Sequence, residues 1–239
     1  MSLPAFSDLP AAQPPPRRGL LLLLDVFVAP RRAYATIAAT KEWLPAFLVV
    51  AALGIAGALI LAPALHHLIG LEVAADPTAE HAGPADISRF TGYQVADVII
   101  WQTLGALMLW VWTAIILAAV SGSGPRSFGV YFSLAANAAL PAALGFFIFS
   151  VVIGAHDPQT YGSLSELNRA VPDSLAVFEP RDNDRAVAFL ASFDLFQLWS
   201  SLLLAFGLRA IGKVELIWAL VAAFSLWLAF ALLQTVPGV

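Results

Sequence analysis

Long apolar stretches separated by polar loops dominate the chain. A short apolar run covers residues 20–28, and five longer stretches follow at about 43–69, 95–120, 127–153, 186–211 and 214–236. Because about 20 apolar residues in helical form cross the hydrocarbon core of a bilayer, each longer stretch is able to span a membrane. The pattern predicts an all-α, polytopic membrane protein with five transmembrane helices.

The short run is too small to be a further span. Nine residues in a helix extend about 14 Å, which is less than half of the hydrocarbon core. Asp25 interrupts the run and Arg31-Arg32 follows it, which argues against a cleaved signal peptide. We expect this segment to lie in the membrane interface or to re-enter the protein, and a short interfacial helix is the preferred interpretation.

Proline positions help to divide the chain into three regions. Residues 1–18 contain five prolines and few large apolar groups, so burial cannot offset the entropy of ordering, and a flexible tail is predicted. Residues 19–42 form the predicted cytosolic interfacial segment, and residues 43–236 the five-helix transmembrane domain. Pro30 and Pro45 each stand where a helix is expected to open, since the first helical turn does not need their missing N–H.

Composition narrows the class of protein further. Hydrophobic residues make up 60% of the 239 residues and charged residues only 12%, which excludes an ordinary soluble domain. The chain has no cysteine, so disulfides and thiolate metal sites are excluded. The net charge of -4 is too small to indicate a nucleic-acid partner.

Basic residues are distributed unevenly between the two sets of loops. One side of the predicted membrane carries Arg17, Arg18, Arg31, Arg32, Lys41, Arg126, Arg209 and Lys213, and the other carries Arg89, Arg169, Arg181 and Arg185. By the positive-inside rule the N-terminus is cytoplasmic and, after five crossings, the C-terminus is periplasmic. The Ala-rich composition is typical of a bacterial protein and predicts the inner membrane.

Polar and small residues recur at helical spacing in four of the spans. Because such residues favour helix contacts in a bilayer, we expect these stripes to face inward. They are Gln94, Asp97, Trp101 and Gly105; Ser133, Asn137 and Pro141; Asp194, Gln197, Ser201 and Ala205; and Ala222, Ser225 and Ala229. The candidate intramembrane polar site consists of Asp97, Asp194, Gln94, Gln197 and Asn137.

Two aspartates allow a functional and a structural interpretation. Asp97 and Asp194 are candidates for a proton or cation site, completed by His66 or His67. Alternatively, both cap helices or form hydrogen bonds at the interface, which is the preferred interpretation. Adjacent histidines on a helix point about 100° apart and cannot easily share one ion, so no metal site is predicted. No catalytic motif or cofactor-binding motif appears, and we predict that the protein is not an enzyme.

Several short motifs resemble a known family. Asp25-Val26-Phe27, Pro30, Ala33-Tyr34 and Trp43-Leu44-Pro45 look like the N-terminal motif of the Yip family, the Ypt- and Rab-interacting membrane proteins with bacterial relatives. Tyr131 with Pro141, and the stretch at 193–199, also fit. The resemblance covers about residues 20–233 and implies a five-helix membrane domain with a cytosolic N-terminus. Eukaryotic members engage prenylated Rab GTPases in vesicle trafficking.

The region around this motif is the candidate contact with a cytosolic partner or anionic lipids. Its residues are Asp25, Phe27, Pro30, Arg31, Arg32 and Tyr34. The first functional hypothesis is a non-enzymatic scaffold or partner-binding subunit. The alternatives are a small transporter or channel component using Asp97 and Asp194, and an accessory subunit of a larger membrane complex. Expected partners are lipids, other membrane proteins or a second copy, and a prenylated small GTPase only if the chain is eukaryotic-like.

Overall fold

The chain folds into a bundle of α-helices. The computed structural model describes residues 19–76, 83–124, 127–179 and 184–233, and those residues form no β-strand. The helices are α1 (Leu20–Val28), α2 (Pro30–Thr40), α3 (Leu44–Ala75), α4 (Pro84–Ile100), α5 (Ala106–Val120), α6 (Phe128–Ala138), α7 (Leu140–Gly154), α8 (Leu164–Arg169), α9 (Asp184–Ala191), α10 (Leu195–Gly212) and α11 (Leu216–Leu233). The predicted flexible tail at 1–18 lies outside the described residues.

Within the described residues, four helical units are long and apolar enough to cross a membrane. They are Leu44–Ala75, Pro84–Val120, Phe128–Gly154 and Leu195–Gly212. The last predicted span corresponds to α11, whose apolar part, Leu216–Leu232, is shorter than these four. The described fold therefore supports a membrane-embedded, polytopic protein with four candidate spans, and the fifth predicted span stays a prediction.

The helices pack around α3, α7 and α10. α3 runs along α7 and contacts α4 on another side, while α10 packs against α2, α6, α7 and α11. One end of the bundle, which we call the hairpin end, contains Leu44, Phe128 and Gly212. At the opposite end, which we call the loop end, α7 finishes at Gly154 and α10 begins at Leu195. The backbone N–H of Gly122 donates to the Gly212 carbonyl over 2.9 Å, which joins the α5–α6 connection to the end of α10.

Glycine allows two of these helices to approach closely. A Cβ atom on Gly145 of α7 would lie 2.6 Å from Phe196 Cγ and 2.7 Å from Phe196 Cβ on α10. Small residues at such crossings are the usual way in which membrane helices increase their van der Waals contact, because the lipid supplies no hydrophobic driving force between them.

The second span begins earlier than the sequence predicted. Pro84 opens α4 in its first turn, and the Gly83 N–H donates to Asp86 Oδ2 over 3.1 Å. A π-helical turn at Trp101–Gly105 then joins α4 to α5, and the Trp101 ring lies over Gly105. π-turns place one more residue in a helical turn and shift the face that later residues present.

The fourth predicted segment is two helices rather than one continuous helix from 186 to 211. α9 ends at Ala191, and α10 starts only after Asp194. Asp194 Oδ1 accepts a hydrogen bond from the Gln197 N–H over 2.7 Å, which is the geometry of an N-cap. The preferred interpretation of Asp194 as a helix cap is therefore confirmed, although the apolar pattern alone does not show where the helix breaks.

Candidate functional site

The N-terminal segment forms a helical hairpin, not a single interfacial helix. α1 and α2 are joined only by Ala29, and Pro30 opens α2. The Gly19 N–H donates to Glu42 Oε2 over 2.9 Å and closes the base of the hairpin. Apolar side chains on its inner face are buried against the bundle: Leu22, Leu23, Val26, Ala33 and Ile37.

The hairpin runs along α10. At its base, the Lys41 side chain approaches Gly129 near the start of α6. Near its tip, the Phe27 ring packs edge-on against Trp199 with the ring centroids 5.1 Å apart. Trp199 lies about 20 Å before Gly212 along α10, at 1.5 Å per residue. This arrangement fits the re-entrant alternative better than a helix lying flat on the interface.

Tyr34 ties the hairpin to the bundle. Its hydroxyl donates to the Leu203 carbonyl of α10 over 2.9 Å, and the side chain is buried. Burial raises the pKa of the Tyr34 phenol far above its usual value, so the hydroxyl keeps its proton and remains a donor.

A buried carboxylate lies inside the hairpin. Asp25 is 1% exposed, and Arg32 Nη1 lies 3.9 Å from its Oδ1, while the Arg32 side chain is 45% exposed. A carboxylate removed from water needs a compensating charge or hydrogen bond. The pair therefore links the end of α1 to the start of α2.

The six predicted contact residues thus divide into two groups. Asp25 and Tyr34 are buried and Phe27 packs against Trp199, so all three contact the chain itself. That they also meet a partner or lipid stays a prediction. Arg31 and Arg32 face outward, and Pro30 is half-buried. Sequence reasoning did not single out the exposed apolar face of α1, formed by Leu20, Leu21, Leu24 and Val28. Its spacing of three or four residues was the available signal.

The polar stripe of the third span faces inward, as predicted. Ser133 Oγ and Asn137 Nδ2 both donate to the Glu42 carbonyl, the latter over 2.9 Å. Asn137 Nδ2 also donates to the Ser133 carbonyl over 2.8 Å. These bonds satisfy the Glu42 carbonyl, which lies where the chain leaves the hairpin and begins α3. Asn137 therefore has a structural role.

The stripe of the second span faces outward, which contradicts the prediction. Gln94, Asp97 and Trp101 are exposed, whereas Thr91 is the buried residue of α4. Thr91 Oγ1 and His66 Nδ1 lie 2.9 Å apart and join α4 to α3. This contact and the packing of Gln102 against Gly54 set which face of the helix turns inward.

The other two stripes give one confirmation and one error. On α10, Ser201 and Ala205 are buried and Gln197 is half-buried, so this stripe faces inward as predicted. On α11, Ser225 and Ala229 are exposed, and the buried residues are Ala219, Ala223 and Ala231. The prediction for the last helix is therefore wrong.

Asp194 lies beside Asp173, on the segment before α10. The Leu195 N–H donates to the Asp173 carbonyl over 3.1 Å, and the Leu175 N–H donates to the Phe193 carbonyl over 3.2 Å. These two bonds join the long loop between α7 and α10 to the start of α10, and we call this junction the clasp. Burial, with the nearby charge of Asp173, raises the pKa of Asp194 to about 6. Burial also raises the pKa of Asp173.

The histidines do not assemble a metal site in the described part of the chain. His66 binds Thr91, and the described residues contain no group of three or more side chains able to ligate a metal ion.

Comparison with known proteins gave no match to a family model, a curated protein or a solved structure.

Proposed function

We propose that the protein is a non-enzymatic integral membrane protein that acts as a scaffold or partner-binding subunit. The observation that carries this proposal is the outward direction of Gln94, Asp97 and Trp101 on the second span. Polar groups on a spanning helix are costly unless they meet water, a headgroup or another polar group. Gln94 and Asp97 lie just before the apolar run 98–120, so lipid headgroups or a protein partner beside this helix would satisfy them.

The burial of the spans supports the same proposal. In the most apolar window of Pro84–Val120, 22% of the residues are buried, compared with 50% in Phe128–Gly154. The second span is thus attached to the bundle by a narrow face and leaves most of its surface for lateral contacts. This observation equally favours an accessory subunit of a larger membrane complex, which is the second candidate function.

The positions of Asp97 and Asp194 do not favour the transporter alternative. That hypothesis requires Asp97 and Asp194 to act together, but Asp97 faces outward on α4 and Asp194 caps α10 beside Asp173. We therefore do not favour it.

We further propose a Yip-type protein of the bacterial inner membrane with a cytoplasmic N-terminus. The order of the motif residues supports this, since Asp25, Phe27 and Tyr34 all have defined packing roles in the hairpin. The basic residues at the hairpin end, Lys41, Arg209 and Lys213, support the orientation. Reporter fusions at residue 41 and at residue 165 are expected to be cytoplasmic and periplasmic, respectively. The reverse result would overturn the orientation.

Native mass spectrometry of the full chain after mild detergent extraction tests the partner-binding function. We expect a complex with at least one further membrane protein, which dissociates in harsher detergent. A chain that remains a lone monomer with bound lipid under the mildest conditions would contradict the proposed function.

A further inference from the structure

The outward face of the second span carries a continuous row of large side chains. We call it the second-span stripe, and its eight members are all exposed: Phe90, Tyr93, Asp97, Trp101, Leu104, Met108, Trp112 and Ile115. Consecutive members are three or four residues apart, so they follow one face of a helix. The members on both sides of the π-turn at Trp101–Gly105 are exposed, Leu104 and Met108 included.

This spacing suits a single neighbouring helix. Side chains repeated every three or four residues form the ridge that packs into the groove of a second helix. A groove lined by Leu107, Met108, Val111, Trp112 and Ile115 lies on the same face of α5. An apolar side chain from an adjacent helix would fit this groove, but lipid would fill it equally well. The apolar part of the stripe therefore does not identify its occupant.

Asp97 argues against one possible occupant, which is a second copy of this chain. It stands within the stripe where the apolar run 98–120 begins, and its neighbour in the stripe, Trp101, is 54% exposed. Two copies of this chain in one membrane share the same orientation, so a symmetric contact through the stripe would place Asp97 opposite Asp97. Two carboxylates at one site repel each other unless one takes up a proton. A second copy is therefore a poor occupant.

We propose that the second-span stripe binds one transmembrane helix of a different protein, and that this helix carries a lysine or arginine opposite Asp97. The inference rests on the proposed partner-binding function and adds the face and the chemistry of the partner. Apolar contacts from Leu104 to Ile115 supply the packing, and the cation pairs with Asp97 where the spanning segment meets the loop end.

The absence of cysteine from the chain makes a direct test possible, because an introduced cysteine is the only one present. Full-length Leu104→Cys protein is placed in phosphatidylethanolamine and phosphatidylglycerol vesicles with synthetic single-span peptides. The peptides are rich in Leu and Ala and carry one central cysteine. They differ at a single position, chosen to lie level with Asp97, where the residue is Lys, Ala or Glu. The measurement is the yield of disulfide between protein and peptide.

We expect the Lys peptide to cross-link about fivefold more than the Ala or Glu peptides, the ratio that corresponds to about 1 kcal/mol. Asp97→Asn should abolish this preference, and Asp97→Lys should transfer it to the Glu peptide. Val221→Cys, an exposed position on α11, is the matched control and should show no preference.

Two results would overturn the inference. Equal yields with all three peptides would mean that Asp97 does not select a cation. Predominant cross-linking of Leu104→Cys to a second copy would make the stripe a self-association surface. Either result leaves partner binding through another face intact, so failure here is distinguishable from failure of the proposed function, which the native complex tests.

Discussion

Single side chains hold the hairpin and the bundle together through bonds to the backbone. Tyr34 binds the Leu203 carbonyl, while Ser133 and Asn137 share the Glu42 carbonyl. Each such bond contributes about 1 kcal/mol when it replaces hydrogen bonds to water. The hairpin is therefore fixed by a few specific bonds in addition to its apolar face.

Removing the Tyr34 hydroxyl tests this directly. We expect Tyr34→Phe to lower the free energy of unfolding by about 1 kcal/mol, because the donor is lost while the ring still fills its site. Tyr93→Phe is the control, since Tyr93 is exposed. Thermal unfolding in detergent micelles measures both, and equal melting temperatures for the two variants would contradict the role of the hydroxyl.

The two neighbouring arginines provide a matched pair. Arg32 lies 3.9 Å from the buried Asp25 carboxylate, whereas Arg31 is exposed. We expect Arg32→Gln to cost about 1 kcal/mol of stability, since Arg32 is partly exposed and its attraction is screened, and Arg31→Gln to cost nothing measurable. Equilibrium unfolding measures the stability of both variants. A larger loss of stability for Arg31→Gln than for Arg32→Gln would refute the stabilising role of Arg32.

At the scale of helices, the closeness of α7 and α10 depends on Gly145. An added methyl group there would meet Phe196 Cβ and Cγ, which are near the backbone and cannot move aside easily. The helices would have to separate, which loses van der Waals contact along the whole crossing.

We expect Gly145→Ala to destabilise the fold by about 1–3 kcal/mol through this overpacking. Gly92→Ala is the control, because Gly92 lies inside α4 with nothing within 4 Å of an added Cβ. There the substitution should be neutral or stabilise by up to about 1 kcal/mol. Unfolding by heat or by a denaturing detergent measures the stability of both variants. If Gly145→Ala is as stable as the unsubstituted protein, α7 and α10 do not pack as closely at Gly145 as described.

At the scale of the whole molecule, the long loop is clasped onto the start of α10. Two backbone bonds join it there, and Leu61, Ala64, Leu68, Ile153, Tyr161, Leu167 and Val171 form an apolar cluster beneath it. Asp173 and Asp194 stand at the clasp, so the charge of this junction depends on pH.

The clasp should weaken as the pH rises. The pKa of Asp194 is raised by burial from 3.8 to about 6, so the folded state binds more protons than the unfolded state between these values. The contribution of protonated Asp194 to the stability of the folded state is therefore fully present below about pH 4 and is lost as the pH rises through about 6. Hydrogen exchange at the Leu195 and Leu175 amides, corrected for its intrinsic pH dependence, measures this. Asp194→Asn retains a capping side chain and should remove most of the pH dependence. An unchanged pH profile in that variant would exclude Asp194 as the titrating group.

The sequence by itself determined where the membrane segments lie, because hydropathy summed over 20 residues does not depend on neighbouring helices. Leu44–Ala75 and Phe128–Gly154 agree with the predicted 43–69 and 127–153 to within a few residues at most ends. The contacts that Asp25, Phe27 and Tyr34 make within the chain were not predicted from the sequence.

Only the tertiary structure decided which face of each helix turns inward. A soluble helix displays its buried face as a contrast between apolar and polar residues, but in a bilayer both the lipid and the neighbouring helices are apolar. The outward direction of Asp97 followed from the Thr91–His66 contact on a different helix, and the outward direction of Ser225 from how α11 packs on α10. Asp194 caps α10, in agreement with the preferred interpretation of the sequence, but its position beside Asp173 depended on a distant segment that no local pattern could place.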